Sequence, residues 1–245
     1  MGDDVALAWR QYRLERRMFW RNPTAAFFNF LLPLLFLALL GAVFAGNRDG
    51  LEVIVPGIAG MGIVSTTFVA LAMNTVFLRE QGVLKRLRGT PMPPGAYLAA
   101  LAAHAVTNTA VQVAVVVLAG RFVFGLGWPE DWVALGVLVG AGVLCFAALG
   151  VALSHAVPNV DSAPAYVNAA FLPLVFISGV FYDADAAPAF LRDIAQALPL
   201  THLVDGLRQA MVGDPGDLAS DLLVLGLWAA LGALLAVRGF RWEPR

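Results

Sequence analysis

The sequence predicts an all-α integral membrane protein with six membrane-spanning helices, both termini in the cytoplasm. Three observations carry that prediction. Of the 245 residues, 60% are hydrophobic, and the mean hydropathy is +0.76, whereas soluble domains run nearer 45–50% apolar. Six apolar stretches reach or approach the roughly 20 residues a helix needs to cross a bilayer. The charged residues, 13% of the chain, collect between these stretches rather than within them.

The expected spans are 24–45, 53–77, 97–117, 132–154, 164–181 and 218–237. The fifth is the shortest and carries Pro173 near its middle, which predicts a kink or a break. Before the first span, Val5, Trp9, Tyr12 and Phe19 alternate with five arginines at helical spacing. Segment 1–23 therefore reads either as an interfacial helix on the inner leaflet or as a plain basic anchor. The N-terminus lacks a convincing cleaved signal, because the apolar stretch before Val43-Phe44-Ala45 is too long for one. Lys and Arg set the orientation. Twelve lie in the N-terminal segment, the 79–95 connection and the C-terminal tail, against four (Arg48, Arg121, Arg192, Arg208) in the alternate connections. The positive-inside rule places the richer set in the cytoplasm.

Two connections are unusual. Segment 79–89 places five charges within Arg79–Arg88. At roughly 2.5–3.5 kcal/mol per charge at the bilayer centre, burial in lipid is prohibitive. The segment has the pattern of a short amphipathic helix, with Val83, Leu84 and Leu87 on one face and Lys85, Arg86 and Arg88 flanking. Gly89 suits its C-terminal cap, and Pro91, Pro93 and Pro94 stop anything longer. The second, 183–216, contains two runs with helical periodicity separated by Pro199. Each is too short to span, so two helices hugging or dipping into the outer leaflet are expected.

The side chains narrow the chemistry. A P-loop needs Gly-Lys-Ser/Thr, yet the only lysine, Lys85, follows Leu84. Acidic residues are confined to connections and span ends, unlike the usual pattern of ion-driven transporters. The single cysteine, Cys145, excludes an intrachain disulfide and a CxxC metal site, and no metal site is expected. Phe176-Ile-Ser178-Gly179 lacks the first glycine of a Gly-x-Ser-Gly nucleophile motif, and no histidine is well placed to activate Ser178. No catalytic residue is expected. His104, Asn108 and Gln112 recur every four residues, with Thr107 beside them, giving the third span a polar stripe. That stripe, like Ser65, Thr66, Thr67, Asn74 and Thr75 in the second span and Asn168 in the fifth, reads as inter-helix hydrogen bonding or as a pathway lining. Gly136-x-x-x-Gly140 reads as a helix-packing motif.

Taken in order, Glu80-x-Gly82-x-x-Lys85-Arg86-Leu87 after the second span, Ser178-Gly-Val-Phe-Tyr182 leaving the fifth, and Pro199-Leu-Thr-His202-x-x-Asp205-x-x-Arg208 before the sixth resemble ABC-2 type permeases. The daunorubicin-resistance and multidrug-efflux permeases are the most similar subgroup. The resemblance covers nearly the whole chain as one transmembrane domain, 1–245. It implies a bacterial plasma-membrane exporter subunit that pairs with a second permease chain, identical or paralogous. Each permease would dock a separate ATP-binding subunit, two copies in all, with ATP and Mg bound there and none in this chain. Glu80, Gly82, Val83, Leu84, Lys85, Arg86 and Leu87 would form the coupling helix that enters the ATPase. Segment 183–216 would form the family's re-entrant helices, with Ser178, Gly179, Pro199, His202, Asp205 and Arg208 at the outer gate. His104, Asn108, Gln112 and Asn168 remain candidates for the pathway.

Few charges and many aliphatic walls favour an amphipathic or apolar cargo, a drug-like metabolite or a lipid. A polysaccharide or glycolipid exporter of the same fold is the alternative, with Phe171, Phe176, Phe181 and Tyr182 as a sugar track or as ordinary packing. An ion-coupled transporter built around the third-span stripe is a further alternative. Membrane lipid is an expected partner, and nucleic acid is not.

Overall fold

A computed structural model of the chain describes residues 2–44, 46–83, 86, 93–182 and 188–239. Every element among them is helical: α1 (Gly2–Arg21), α2 (Pro23–Val43), α3 (Arg48–Val64), a π-helical turn (Ser65–Val69), α4 (Ala70–Glu80), α5 (Pro94–Val123), α6 (Trp132–Ser154), α7 (Ala163–Ile177), α8 (Ala189–Ala197), α9 (Pro199–Val212) and α10 (Leu218–Gly239).

Four helical stretches among the described residues are long and apolar enough to cross a membrane: Arg48–Glu80, Ala99–Val123, Trp132–Ser154 and Leu218–Arg238. Two shorter apolar stretches, Phe30–Val43 and Ala163–Ile177, complete the bundle. The helix α7 continues through Pro173 and stops at Ile177, where Ser178 and a left-handed Gly179 (φ 69°) turn the chain.

The centre of the molecule is Arg48–Glu80, one continuous helical rod of 33 residues. At 1.5 Å per residue it runs about 50 Å, well beyond the roughly 30 Å hydrocarbon core. Its start is fixed by Asn47, whose side chain accepts from Gly50 N at 3.2 Å, and by an Arg48–Glu52 pair at 2.9 Å. At its middle the ladder widens into the π turn, and the Thr67 hydroxyl donates to the Ile63 carbonyl at 2.6 Å. Sequence hydropathy placed this span at 53–77, because charges end an apolar run without ending a helix. Arg79 and Glu80, expected at the head of the short basic helix, are instead the last residues of α4. Gln81 caps α4, and Gly82, at φ 66°, supplies the left-handed turn after it. Val83 and Arg86 begin the next turn, with Arg86 N donating to Gly82 O at 3.1 Å. Leu84, Lys85 and Leu87 lie outside the described residues.

Glycines let the neighbours close on the rod. An added Cβ at Gly57 would land on the Val180 carbonyl, and one at Gly60 would meet Val204 at 2.8 Å. On α6, Gly142 admits Leu203 and Ile63, and Gly150 lies against the backbone of Phe68 in the π turn. The most extensive helix pairing is α6 with α10, where Gly232 meets the backbone at Ala148–Leu149. Such close backbone approach is how helices associate where lipid offers no hydrophobic drive. The Gly136-x-x-x-Gly140 motif does not take part: an added Cβ at either position meets open space. Its small-xxx-small pattern therefore packs against no helix among the described residues.

The buried core runs along this rod, through Ile54, Ile58, Ile63, Leu138, Phe146 and Leu207. The outward faces stay apolar, as Leu223, Leu227 and Leu235 on α10 show at 62%, 62% and 50% exposure. A bundle apolar both inside and out suits lipid rather than water.

The glycine packing makes a specific prediction. Gly150→Ala places a Cβ 2.6 Å from the Phe68 carbonyl oxygen and should lower stability by about 1–3 kcal/mol. Gly136→Ala meets nothing and should leave stability unchanged or raise it by up to about 1 kcal/mol through helix propensity. Thermal unfolding of the two purified variants distinguishes them, and equal losses would contradict the packing described.

Candidate functional site

Three polar clusters interrupt the apolar bundle. The first lies where α4 meets the connection between α6 and α7. Arg79 is in the last turn of α4 and is 7% exposed. Its Nη1 donates to the Ser154 carbonyl at 3.0 Å and its Nη2 to the Val157 carbonyl at 2.6 Å. Glu80 Oε1 accepts from Val160 N at 2.9 Å. A guanidinium thus satisfies carbonyls at the C-terminal end of α6, the end a helix dipole makes receptive to cations. Adjacent residues therefore bind the foot of the central rod to the 155–162 connection. The sequence marked Arg79 only as a charge; its place in the last turn of an apolar run was the available signal.

The second cluster contains the third-span stripe. His104 and Asn108 face a cavity of about 350 Å³ between α1, the π turn with α4, and α5, also lined by Glu15, Phe19, Thr66 and Asn74. His104 Nε2 lies 3.2 Å from Asn108 Nδ2, and Phe19 stands edge-on to the His104 ring at 5.8 Å. The helix α1 lies along α5 and is joined to it by Tyr12 and Thr107, whose hydroxyls are 3.2 Å apart. Gln112 continues the stripe but is fully buried, packed on Gly62, with neither side-chain atom partnered among the described residues. Asn168 is not brought to the stripe; it is exposed on α7. Glu15 and Phe19 were not anticipated as lining, because nothing in α1's own pattern reveals the helix it will lie against.

The third cluster lies at the opposite end of the rod, around α9. Arg208 is 6% exposed. Its Nη2 donates to the Gly179 carbonyl at 2.8 Å and the Tyr182 carbonyl at 3.2 Å, and its Nη1 reaches Asp205 at 3.4 Å. This ties α9 to the chain leaving α7, with Tyr182 Oη donating to Ile177 O at 3.0 Å. His202 Nδ1 lies 2.8 Å from Asp221 Oδ1 on α10, and Gln209 Nε2 donates to Asp221 Oδ2 at 2.9 Å. His202 Nε2 is 3.0 Å from the Gln196 carbonyl at the end of α8. Pro199 starts α9, and Ser178 is buried beside Gly179. All six residues singled out here from sequence thus fall in one region. Asp221 and Gln209, which bridge α9 to α10, were missed. Asp221 had a signal, an acid in the first turn of an apolar helix, but no local pattern pairs it with a histidine 19 positions earlier.

The groups around α9, outside the candidate spans, titrate abnormally. The hydrogen bond to Asp221, opposed by burial and aided by the Gln196 carbonyl, raises the His202 pKa. Burial pushes Asp205 up to about 6 against the pull of Arg208. A histidine with a raised folded pKa gives stability that is complete below its unfolded value, about pH 6.5, and lost as pH rises through the folded one. Asp205 acts in the same direction at lower pH, since the folded chain favours its protonated form. After correction for intrinsic rates, α9 amides should therefore exchange hydrogen faster at pH 8 than at pH 6, and His202→Gln should flatten that difference. Equal protection at both pH values in the unmodified chain would contradict the pairing.

The sequence profile of the ABC-2 type transporter family matches residues 5–212. The chain is similar to the daunorubicin resistance ABC transporter permease protein DrrB1 of Streptomyces coeruleorubidus, 29% identical over 228 residues, covering 86% of this chain and 77% of that one. It is 27% identical over 195 residues to Nodulation protein J of Rhizobium leguminosarum bv. viciae, covering 76% and 74%. It is 24% identical over 186 residues to the linearmycin resistance permease protein LnrN of Bacillus subtilis, covering 75% of this chain and 48% of that one. With its profile match spanning most of an apolar helical bundle, the chain belongs to the ABC-2 type transporter family, the membrane permeases of ABC transporters.

Proposed function

We propose that this chain is the six-span permease of a bacterial inner-membrane ABC exporter, with both termini in the cytoplasm. It works with a second permease chain and two copies of a separate ATP-binding subunit, which hold ATP and Mg. The cargo is an amphipathic or apolar small molecule. Two of the relatives are named for resistance to daunorubicin and to linearmycin, and this chain's own sparse charge fits such a cargo.

The observation that carries the reading is the fixed foot of the central rod. Arg79 and Glu80 lock the end of α4 onto the end of α6 and the 155–162 connection, directly before the remainder of the basic segment, 81–89. A partner pushing on that segment would move α4 and the α6–α7 connection as one piece, and the rod conveys the displacement through the bilayer. Val83, Leu84 and Leu87 form the apolar docking face, while Lys85 and Arg86 pair with acidic residues of the ATP-binding subunit. At the far end, Arg208 and the His202–Asp221–Gln209 set hold α8 and α9 over the exit as an outer gate. His104 and Asn108 belong to a water-accessible lining on the inner side.

Leu84→Asp places a charge in the docking face without touching the described bundle. ATP-driven export in inverted vesicles should fall at least about tenfold, the effect of losing one buried interface anchor, while the permease's thermal stability is unchanged. Normal ATP-driven export by the variant would remove the docking role.

A further inference from the structure

The histidine of the α9 cluster sits between two acceptors. His202 Nδ1 lies 2.8 Å from Asp221 Oδ1 on α10, and its Nε2 lies 3.0 Å from the Gln196 carbonyl on α8. A backbone carbonyl carries no proton, and the other oxygen of the Asp221 carboxylate already accepts from Gln209 Nε2 at 2.9 Å. A neutral imidazole has one N–H and one lone pair, so it satisfies one of these contacts and turns a lone pair on the other. Only the imidazolium donates at both. Because Nε2 is committed to a carbonyl rather than a hydroxyl, the pair is not arranged to activate a nucleophile.

The contact at Gln196 falls where α8 most needs a partner. Gln196 and Ala197 end that helix, so their carbonyls have no acceptor role left within it. His202 meets the first, and Trp228 Nε1 on α10 donates to the second at 3.1 Å. A cation at a helix C-terminus is favoured by the dipole as well. Little else fastens α8: Ala195 is its one buried residue, and Phe190 and Ile194 are largely exposed. The His202 side chain is itself 17% exposed, which lets its proton exchange with water.

The charges around His202 favour its proton. Asp221 faces it from α10 and Asp205 from its own helix, with Arg208 drawn to Asp205 at 3.4 Å. On α8, Arg192 and Asp193 lie one turn before Gln196. Asp217 is occupied in capping α10, accepting from Ala219 N at 3.1 Å. From α3 and α6 the packed surfaces are apolar, Gly60 against Val204 and Leu138 against Gly206, while Glu130 and Asp131 lie at Gly213 and Ala210, two turns or more along α9. The hydrogen bond to Asp221 thus raises the His202 pKa against the effect of burial. The charged form persists above the ordinary value, about pH 6.5, and is lost as pH rises through the raised one. Asp205, pushed up to about 6, ionises first and supports the imidazolium. The carboxylate is the stronger acceptor, so the departing proton leaves Nε2 and the α8 contact is the one that breaks.

We propose that His202 is a proton-operated clasp: its imidazolium holds the end of α8 to α9 and α10, and loss of the Nε2 proton at the outer face frees α8. That α8 covers an exit rests on the exporter reading. The clasp itself is measurable on the permease alone, without ATP or a partner, so its failure and the failure of that reading are separate results.

The test is a pH titration of the purified full chain in lipid nanodiscs, with ring-15N-labelled histidine followed by NMR and α8 amide hydrogen exchange followed in parallel. The chain has three histidines, and the His202 signals are those missing from His202→Gln. In the unmodified chain both His202 ring nitrogens should be protonated at about pH 6.5, with one proton lost at a midpoint above that value. After correction for intrinsic rates, α8 protection should fall across the same midpoint. Asp221→Asn should move both midpoints down together by about one pH unit or more. Trp228→Phe, which removes only the indole donor, should lower α8 protection at every pH and leave the His202 midpoint in place. A His202 midpoint at or below about 6.5 in the unmodified chain, α8 protection that stays flat while His202 titrates, or a midpoint unmoved by Asp221→Asn would each overturn the proposal.

Discussion

The structure depends on one constraint: the rod from Arg48 to Glu80 must be surrounded by protein while every backbone polar group stays satisfied within helices. Hydrocarbon offers no water to an exposed amide, so only a continuous helix can occupy that position. Surrounding it closely requires that neighbours approach to backbone distance. Gly57 and Gly60 on the rod, with Gly142 and Gly150 on α6, meet this need. The π turn is the one place where the ladder loosens, and there Thr67 returns a hydrogen bond to Ile63 while Thr66 faces the cavity. The middle of the molecule is thus held by dispersion and shape.

Its ends are held differently. At one, a buried arginine and its neighbouring glutamate secure the rod to a connecting segment. At the other, a second buried arginine secures α9 to the chain leaving α7, and an aspartate on α10 collects a histidine and a glutamine. Directional hydrogen bonds to charged groups are worth more than the average bond, and a tightly packed interior transmits strain rather than absorbing it. In the proposed function this division has a purpose. The packed middle acts as a stiff lever, and the hydrogen-bonded ends are the points where an ATP-driven push enters and where the exit yields.

The sequence revealed this arrangement unevenly. The helix at 132–154 was placed to the residue, because Asp131 caps its start by accepting from Val133 and Ala134 and the apolar run ends with the helix. The rod was placed short at both ends, since hydropathy stops at Glu52 and Arg79 whereas the helix runs from Arg48 to Glu80. The outer residues Ser178, Gly179, Pro199, His202, Asp205 and Arg208 could be grouped because their motifs are local. Asp221 and Glu15 could not, because their roles are created by tertiary contact. The Gly136-x-x-x-Gly140 pattern meets no described residue of this chain, because a small-residue stripe shows where a helix can be approached, not which helix approaches it.

The central claim is that this permease is driven by a separate ATP-binding subunit. The most direct measurement is affinity purification of the tagged chain from native membranes in mild detergent, with subunit stoichiometry and ATP hydrolysis determined on the eluate. The account predicts an ATP-binding subunit recovered at one copy per permease, with hydrolysis in the complex. Recovery of the permease without any such subunit, together with flux driven by an ion gradient in proteoliposomes, would contradict it.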